Sequence, residues 1–115
     1  MPFNFLLCDC VHPGRTSFGE SGKQARIKPE GGECVLVFGI DNEPFRKRFS
    51  VTKACDALFF YKSVTKGPVL LFVELKGSDI DTAAQQVGQA LQAVQKKLAP
   101  VWEYRAVVVT RGSAP

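Results

Sequence analysis

The sequence predicts a single α/β domain built on a mixed β-sheet of about four strands. Two observations carry that expectation. Two short apolar segments flank a Gly-Pro turn, which makes an antiparallel hairpin, and an amphipathic helical pattern then leads into another apolar run, which makes a crossover to a parallel strand. With 115 residues, 45% of them apolar, the chain has room for one modest core.

The first 32 residues are the least regular. Pro13-Gly14, Gly19, Gly22, Pro29 and Gly31-Gly32 punctuate a polar stretch that reads as loops around one short strand, an arm over the active site or a dimer contact. The core is expected over residues 33 to 112. Residues 34 to 40, Cys-Val-Leu-Val-Phe-Gly-Ile, read as its first strand. Arg46-Lys47-Arg48 precede the β-rich Phe49-Ser50-Val51 and read as a solvated edge strand or loop. The hairpin strands are residues 55 to 61, Cys-Asp-Ala-Leu-Phe-Phe-Tyr, and 69 to 74, Val-Leu-Leu-Phe-Val-Glu, joined by a polar turn ending in Gly67-Pro68. Gly77-Ser78-Asp79 then offers a cap, and Ile80, Ala84, Val87, Leu91, Val94 and Leu98 recur at helical spacing until Ala99-Pro100. Residues 104 to 110, Tyr-Arg-Ala-Val-Val-Val-Thr, are apolar enough for a strand buried on both faces.

Hairpin geometry brings chemistry together. A turn centred near Thr65 pairs residues whose numbers sum to about 130, which sets Asp56 opposite Glu74 on one sheet face. Alternation carries Lys76 onto the same face and turns Leu75 to the other. Two carboxylates and an ammonium are what a divalent cation and a phosphodiester need. Magnesium takes oxygen ligands, keeps several waters, and is commonly held by one or two carboxylates plus substrate phosphate. When bound it activates water and neutralises phosphate charge, while a lysine positions that water, stabilises the developing charge or serves as base. The plainer reading is a structural ion pair at a strand end, since Glu-x-Lys triplets are common.

The series Lys53-Ala54-Cys55-Asp56-Ala57-Leu58-Phe59-Phe60, then Phe72-Val73-Glu74-Leu75-Lys76-Gly77-Ser78-Asp79-Ile80, then a glutamine-bearing helix and a buried strand, resembles the PD-(D/E)XK nuclease superfamily. The resemblance covers about residues 33 to 112 and is to its small prokaryotic members. It implies a restriction-endonuclease-like core and Mg²⁺- or Mn²⁺-dependent hydrolysis of nucleic acid, DNA before RNA. It makes Asp56, Glu74 and the Leu75 carbonyl the metal ligands and Lys76 the catalytic lysine. Gln85 and Gln89 fall where members place a supporting glutamine, although a solvated helix face would look alike. Cys55 stands where the pattern usually has proline. The acidic residue that members often carry on a first helix has only Glu20 and Glu33 as candidates, Glu33 the nearer.

A net charge of +4 suits a polyanionic partner without naming one. Arg46, Lys47, Arg48 and Arg111 are candidate phosphate contacts, as is the cluster Arg15, Lys23, Arg26 and Lys28. No run approaches a membrane span, and the first ten residues lack the basic start of a secretion signal, so a cytoplasmic protein is expected. Cys8, Cys10, Cys34 and Cys55, even with His12, lack the paired spacing of a zinc site and read as idle or buried thiols. Trp102 and Phe18 are candidates for base stacking, or for core. So small a domain calls for a homodimer or a partner that supplies specificity. The alternative is a catalytically degenerate nucleic-acid-binding or interaction module of the same fold.

Overall fold

The structure, a computed structural model, describes residues 2–20, 23–76, 80–98 and 103–110, and of residues 2, 3, 20, 23, 76 and 110 the main chain alone. Its elements are α1 (Pro2–Asp9), β1 (Ser17–Glu20), β2 (Lys23–Arg26), β3 (Cys34–Gly39), α2 (Glu43–Phe49), β4 (Ala57–Lys62), β5 (Val69–Lys76), α3 (Ile80–Gln95) and β6 (Glu103–Thr110).

Strands β3-β4-β5-β6 form one four-stranded sheet in chain order, and β1-β2 form a separate antiparallel hairpin. Both β3–β4 and β4–β5 are antiparallel, whereas β5–β6 is parallel, with α3 as the crossover. The sheet is therefore mixed, as expected. Ala57 faces Val73 and Tyr61 faces Val69, a register in which partner numbers sum to 130. The turn between the strands sets that register, and a slip of one would turn Phe59 and Phe72 to the wrong faces.

Alternation divides the sheet. Phe38, Leu58, Leu70 and Phe72 pack with helix residues Leu6, Phe45, Phe49, Val87, Ala90 and Val94 in one core. Val37, Phe59, Val73 and Leu75 form a second layer on the opposite face, against Phe18, Ala25 and Ile27 of the hairpin region. Each fully buried Leu or Phe contributes about 2–3 kcal/mol of transfer free energy, so the eight-residue β5 anchors both layers.

The structure corrects the sequence reading in four places, one of which is β6: expected to be buried on both faces, it is an edge strand whose described side chains are half-buried or exposed. The chain opens with a helix, α1, instead of loops. Two turns are too few to display a period, and α1 is fixed by tertiary burial of Leu6 and by the edge-on contact of Phe5 with Phe49 at 6.1 Å. Residues 46–49 lie in helix α2, not in an edge strand. Asn42 caps α2 by accepting the Phe45 amide at 2.8 Å, Pro44 sits in the first turn, and Phe45 and Phe49 bury one helical turn apart. Fourth, the buried stripe of α3 is Ala83, Val87, Ala90 and Val94, whereas Ala84 is exposed and Ile80 is 54% exposed. The alanines let the helix axis approach the sheet, which rotates the face from the one the larger residues imply.

Candidate active site

The β4–β5 ladder runs up to Ala57 and Val73, and the residues one step beyond are Asp56 and Glu74. There the side chains take over the pairing. The Asp56 amide donates to Glu74 Oε1 at 3.1 Å, and the Leu75 amide donates to Asp56 Oδ2 at 2.8 Å. The Ile40 amide donates to the Asp56 carbonyl at 3.3 Å, tying the segment before β4 to the end of β3. Asp56 and Glu74 are only 8% and 6% exposed. Two anionic side chains are thus held side by side, nearly out of water, with fixed geometry. Cys55 beside them is fully buried, and burial first, then the negative charges of Glu74 and Asp56, push its thiol far above the usual range.

Asp56 opens into a cleft of about 240 Å³ lined by His12, Phe18, Gly39, Asp41 and Asn42. The His12 ring stacks on Phe18, centroids 5.7 Å apart. Gly39 makes that possible, because a Cβ there would lie 2.8 Å from His12 Nε2. Asn42 both caps α2 and donates from Nδ2 to the Gly39 carbonyl at 2.9 Å, and Asp41 pairs with Arg46 at 3.0 Å. Sequence reasoning missed His12, Asp41 and Asn42 as neighbours of Asp56. Asn42-Glu43-Pro44 carries a readable helix-start signal. Nothing local marks His12, which arrives through the Val11–Phe38 bridge and a 2.7 Å bond from its amide to the Val37 carbonyl.

The other expected residues divide. Lys76 has its main chain in β5, opposite Thr110, and Leu75 buries its side chain on the second face. Glu33 is not at the site. It adjoins the other end of the sheet, where Tyr61 Oη donates to its Oε2 and the Glu30 amide to its Oε1 at 2.7 Å. Five strand steps separate Tyr61 from Asp56, roughly 17 Å. The Tyr61 bond, then the Glu30 bond, hold the Glu33 carboxyl below its ordinary pKa. Gln85 and Gln89 lie on the outer side of α3, whereas the neighbouring Gln86 turns inward and buries an Oε1 that has no hydrogen-bond partner among the described residues. Lys47 is exposed, and Arg48 lies 5.8 Å over the Phe5 ring. The side chain of Lys76, together with Gly77-Ser78-Asp79, Trp102 and Arg111, falls outside the described residues.

Cys8 and Cys34 are exposed free thiols and Cys10 is a buried one. No group of three or more His, Cys, Asp or Glu side chains among the described residues is arranged to hold a metal. Two carboxylates at one strand end nevertheless fit a hard divalent cation that fills its remaining positions with water and substrate oxygen. Among the described residues no helix is long and apolar enough to cross a membrane. Compared with protein-family models, curated proteins and solved structures, the chain matches none.

Proposed function

We propose that this chain is a metal-dependent nuclease with a restriction-endonuclease-like core, hydrolysing phosphodiester bonds of nucleic acid, DNA in preference to RNA. The observation that carries the reading is the reciprocal clasp of Asp56 and Glu74 at one end of the β4–β5 hairpin. Support comes from the element order around it: three antiparallel strands, a helix and a parallel strand, with the Glu-Leu-Lys triplet ending β5.

In this reading Asp56, Glu74 and the Leu75 carbonyl hold Mg²⁺ or Mn²⁺, which when bound supplies an activated water and neutralises charge on the scissile phosphate. The chain's own residues do the rest. The Asp56 and Leu75 amides fix the rotamers of the two carboxylates, so that little reorganisation accompanies reaction. Near-exclusion of water strengthens every charge interaction at that point. Lys76 orients the attacking water or stabilises the developing negative charge, and Gln86, in the second turn of α3, takes the supporting place expected of Gln85. The exposed Lys47 contacts substrate phosphate, while Arg46 and Arg48 are partly committed to Asp41 and Phe5. A homodimer or a partner subunit supplies specificity.

One observation favours a second reading. Each carboxylate already accepts a main-chain amide, so the pair also serves as a structural clasp in a nucleic-acid-binding module that does not cut. The deciding experiment incubates the protein with end-labelled single-stranded, duplex and branched DNA and with RNA, in Mg²⁺, in Mn²⁺ and in EDTA. Cutting in metal that EDTA abolishes supports the nuclease, and salt-sensitive binding without cutting supports the module.

A further inference from the structure

A groove of about 460 Å³ runs between the C-terminal end of α2 and the outer face of α3, lined by Ser50, Thr52, Gln89, Gln92, Lys96 and Lys97 with Phe49, Val51 and Ala93 at its floor and walls. None of its lining residues is acidic. Gln89, Gln92 and Lys96 recur at helical spacing and form one stripe. Lys97 is drawn across the groove, its Nζ donating to the Arg48 carbonyl at 3.3 Å and lying 5.9 Å from the Phe49 ring. That hydrogen bond uses one of the three donors of a lysine ammonium. Lys47 and Lys53, just before and after the lining segment 49–52 in the chain, are exposed.

Lysines at a helix C-terminus commonly do no more than complement its dipole. The dipole explains neither the glutamine stripe leading to Lys96 nor the hydroxyls of Ser50 and Thr52 on the facing segment. Cations alternating with neutral hydrogen-bonding groups, without carboxylates, are the pattern that binds a sugar-phosphate backbone irrespective of sequence. Helix α3 starts beyond the Glu74 end of β5 and returns to the start of β6, so Lys96 and Lys97 lie toward the Val69–Glu103 end of the sheet, and the segment Ser50 to Thr52 leads from the groove back toward the site. Thr52 is four residues from Asp56, so at full extension the two are at most about 14 Å apart, roughly four base-pair steps of duplex.

We propose that this α2–α3 groove is a track for the nucleic-acid backbone on the helical side of the sheet, running away from the cleavage site, with Lys96 and Lys97 on phosphates and Gln89, Gln92, Ser50 and Thr52 on phosphate or sugar oxygens. The proposal rests on nucleic acid being the partner of the Asp56–Glu74 site. It adds residues on α3 that the basic run of α2 does not include.

Fluorescence anisotropy of the full chain in EDTA, with labelled 20-base-pair duplex and 20-nucleotide single strand between 50 and 200 mM salt, tests the track without requiring cutting. On duplex, the slope of log affinity against log salt is shallower by roughly 0.9 for each phosphate that is no longer neutralised by a cation, so K96Q/K97Q reduces it by about 1.8. K96R/K97R retains the slope and guards against a folding effect. K62Q/K66Q, two exposed lysines outside the groove at the β4–β5 turn, leaves it unchanged. A K96Q/K97Q slope equal to that of wild type overturns the track, as does an equal reduction in K62Q/K66Q. Equally tight, equally salt-sensitive binding of polyglutamate overturns it in favour of an acidic protein partner. A wild type that binds with the expected slope yet never cuts in Mg²⁺ keeps the track and removes the nuclease. One that cuts while K96Q/K97Q binds unchanged does the reverse.

Discussion

Asp56 and Glu74 each secure the other's strand: the Asp56 amide is bound by the Glu74 carboxylate, and the amide following Glu74 is bound by the Asp56 carboxylate. Removing either side chain therefore acts on stability and on chemistry together. Glu74→Ala leaves the buried Asp56 amide unsatisfied and is expected to cost about 1–3 kcal/mol, whereas Glu74→Gln keeps an Oε1 acceptor and is expected to cost less. Urea unfolding of the two variants, compared with wild type, measures the difference.

Buried thiols set an alkaline limit. Burial raises the folded pKa of Cys55, and of Cys10 to a lesser extent, above the ordinary thiol value. The stabilisation that follows is fully present below the unfolded thiol pKa of about 8.5 and is lost as pH rises toward the folded value. Stability of the wild type should fall above about pH 8.5 more steeply than that of Cys55→Ala. In native protein, thiol reagents should reach Cys8 and Cys34 quickly and Cys10 and Cys55 only on unfolding. A fast-reacting Cys55 would contradict the packing described.

Glu33 is bound by Tyr61, at the end of the sheet away from Asp56. Tyr61→Phe removes the first cause of its lowered pKa, so the Glu33 carboxyl should titrate closer to the ordinary glutamate range, held down only by the Glu30 amide. Carboxyl-detected NMR titration measures that rise. Cleavage by Tyr61→Phe and by Glu33→Gln should match wild type, because both lie at the opposite end of the sheet.

Ser50 closes α2 in the left-handed region, φ 56°, a conformation that glycine adopts without the Cβ penalty. Ser50→Gly should stabilise the fold by about 0.5–1 kcal/mol, less any entropy gained by the unfolded chain. Chemical denaturation reads it. A decrease in stability would mean that the Ser50 side chain makes an interaction of greater weight than the backbone strain.

Local periodicity and one turn account for what is legible in the sequence. The position of the Gly67-Pro68 turn fixes the β4–β5 register, and period two then places Asp56 beside Glu74. Apolar runs of six to eight residues announce β3, β5 and β6 within a residue or two. Short elements are less readable, because tertiary contacts stabilise them. Helix α1 depends on Leu6 entering a core made by residues dozens of positions away, and the β-propensity of Phe49 and Val51 masks the capping signal at Asn42. The expected apolar stripe of α3 follows the larger Ile80 and Leu91, whereas the small residues Ala83 and Ala90 decide which side of the helix meets the sheet, and Gln85 and Gln89, singled out by the family resemblance, fall on the outer side. Adjacency to β3 singles out Glu33, and position along a strand says nothing about which end of the sheet holds the chemistry.

The most direct test compares single-turnover cleavage of labelled duplex DNA by wild type and Glu74→Gln in saturating Mg²⁺, with both shown to be folded by their urea transitions. Glutamine preserves the hydrogen bond to Asp56 and removes the charge. The account predicts metal-dependent cleavage by wild type and a reduction of roughly a hundredfold or more in the variant, the scale of one missing electrostatic interaction in the transition state. Equal rates, or no metal-dependent cleavage of any substrate by wild type, would contradict it.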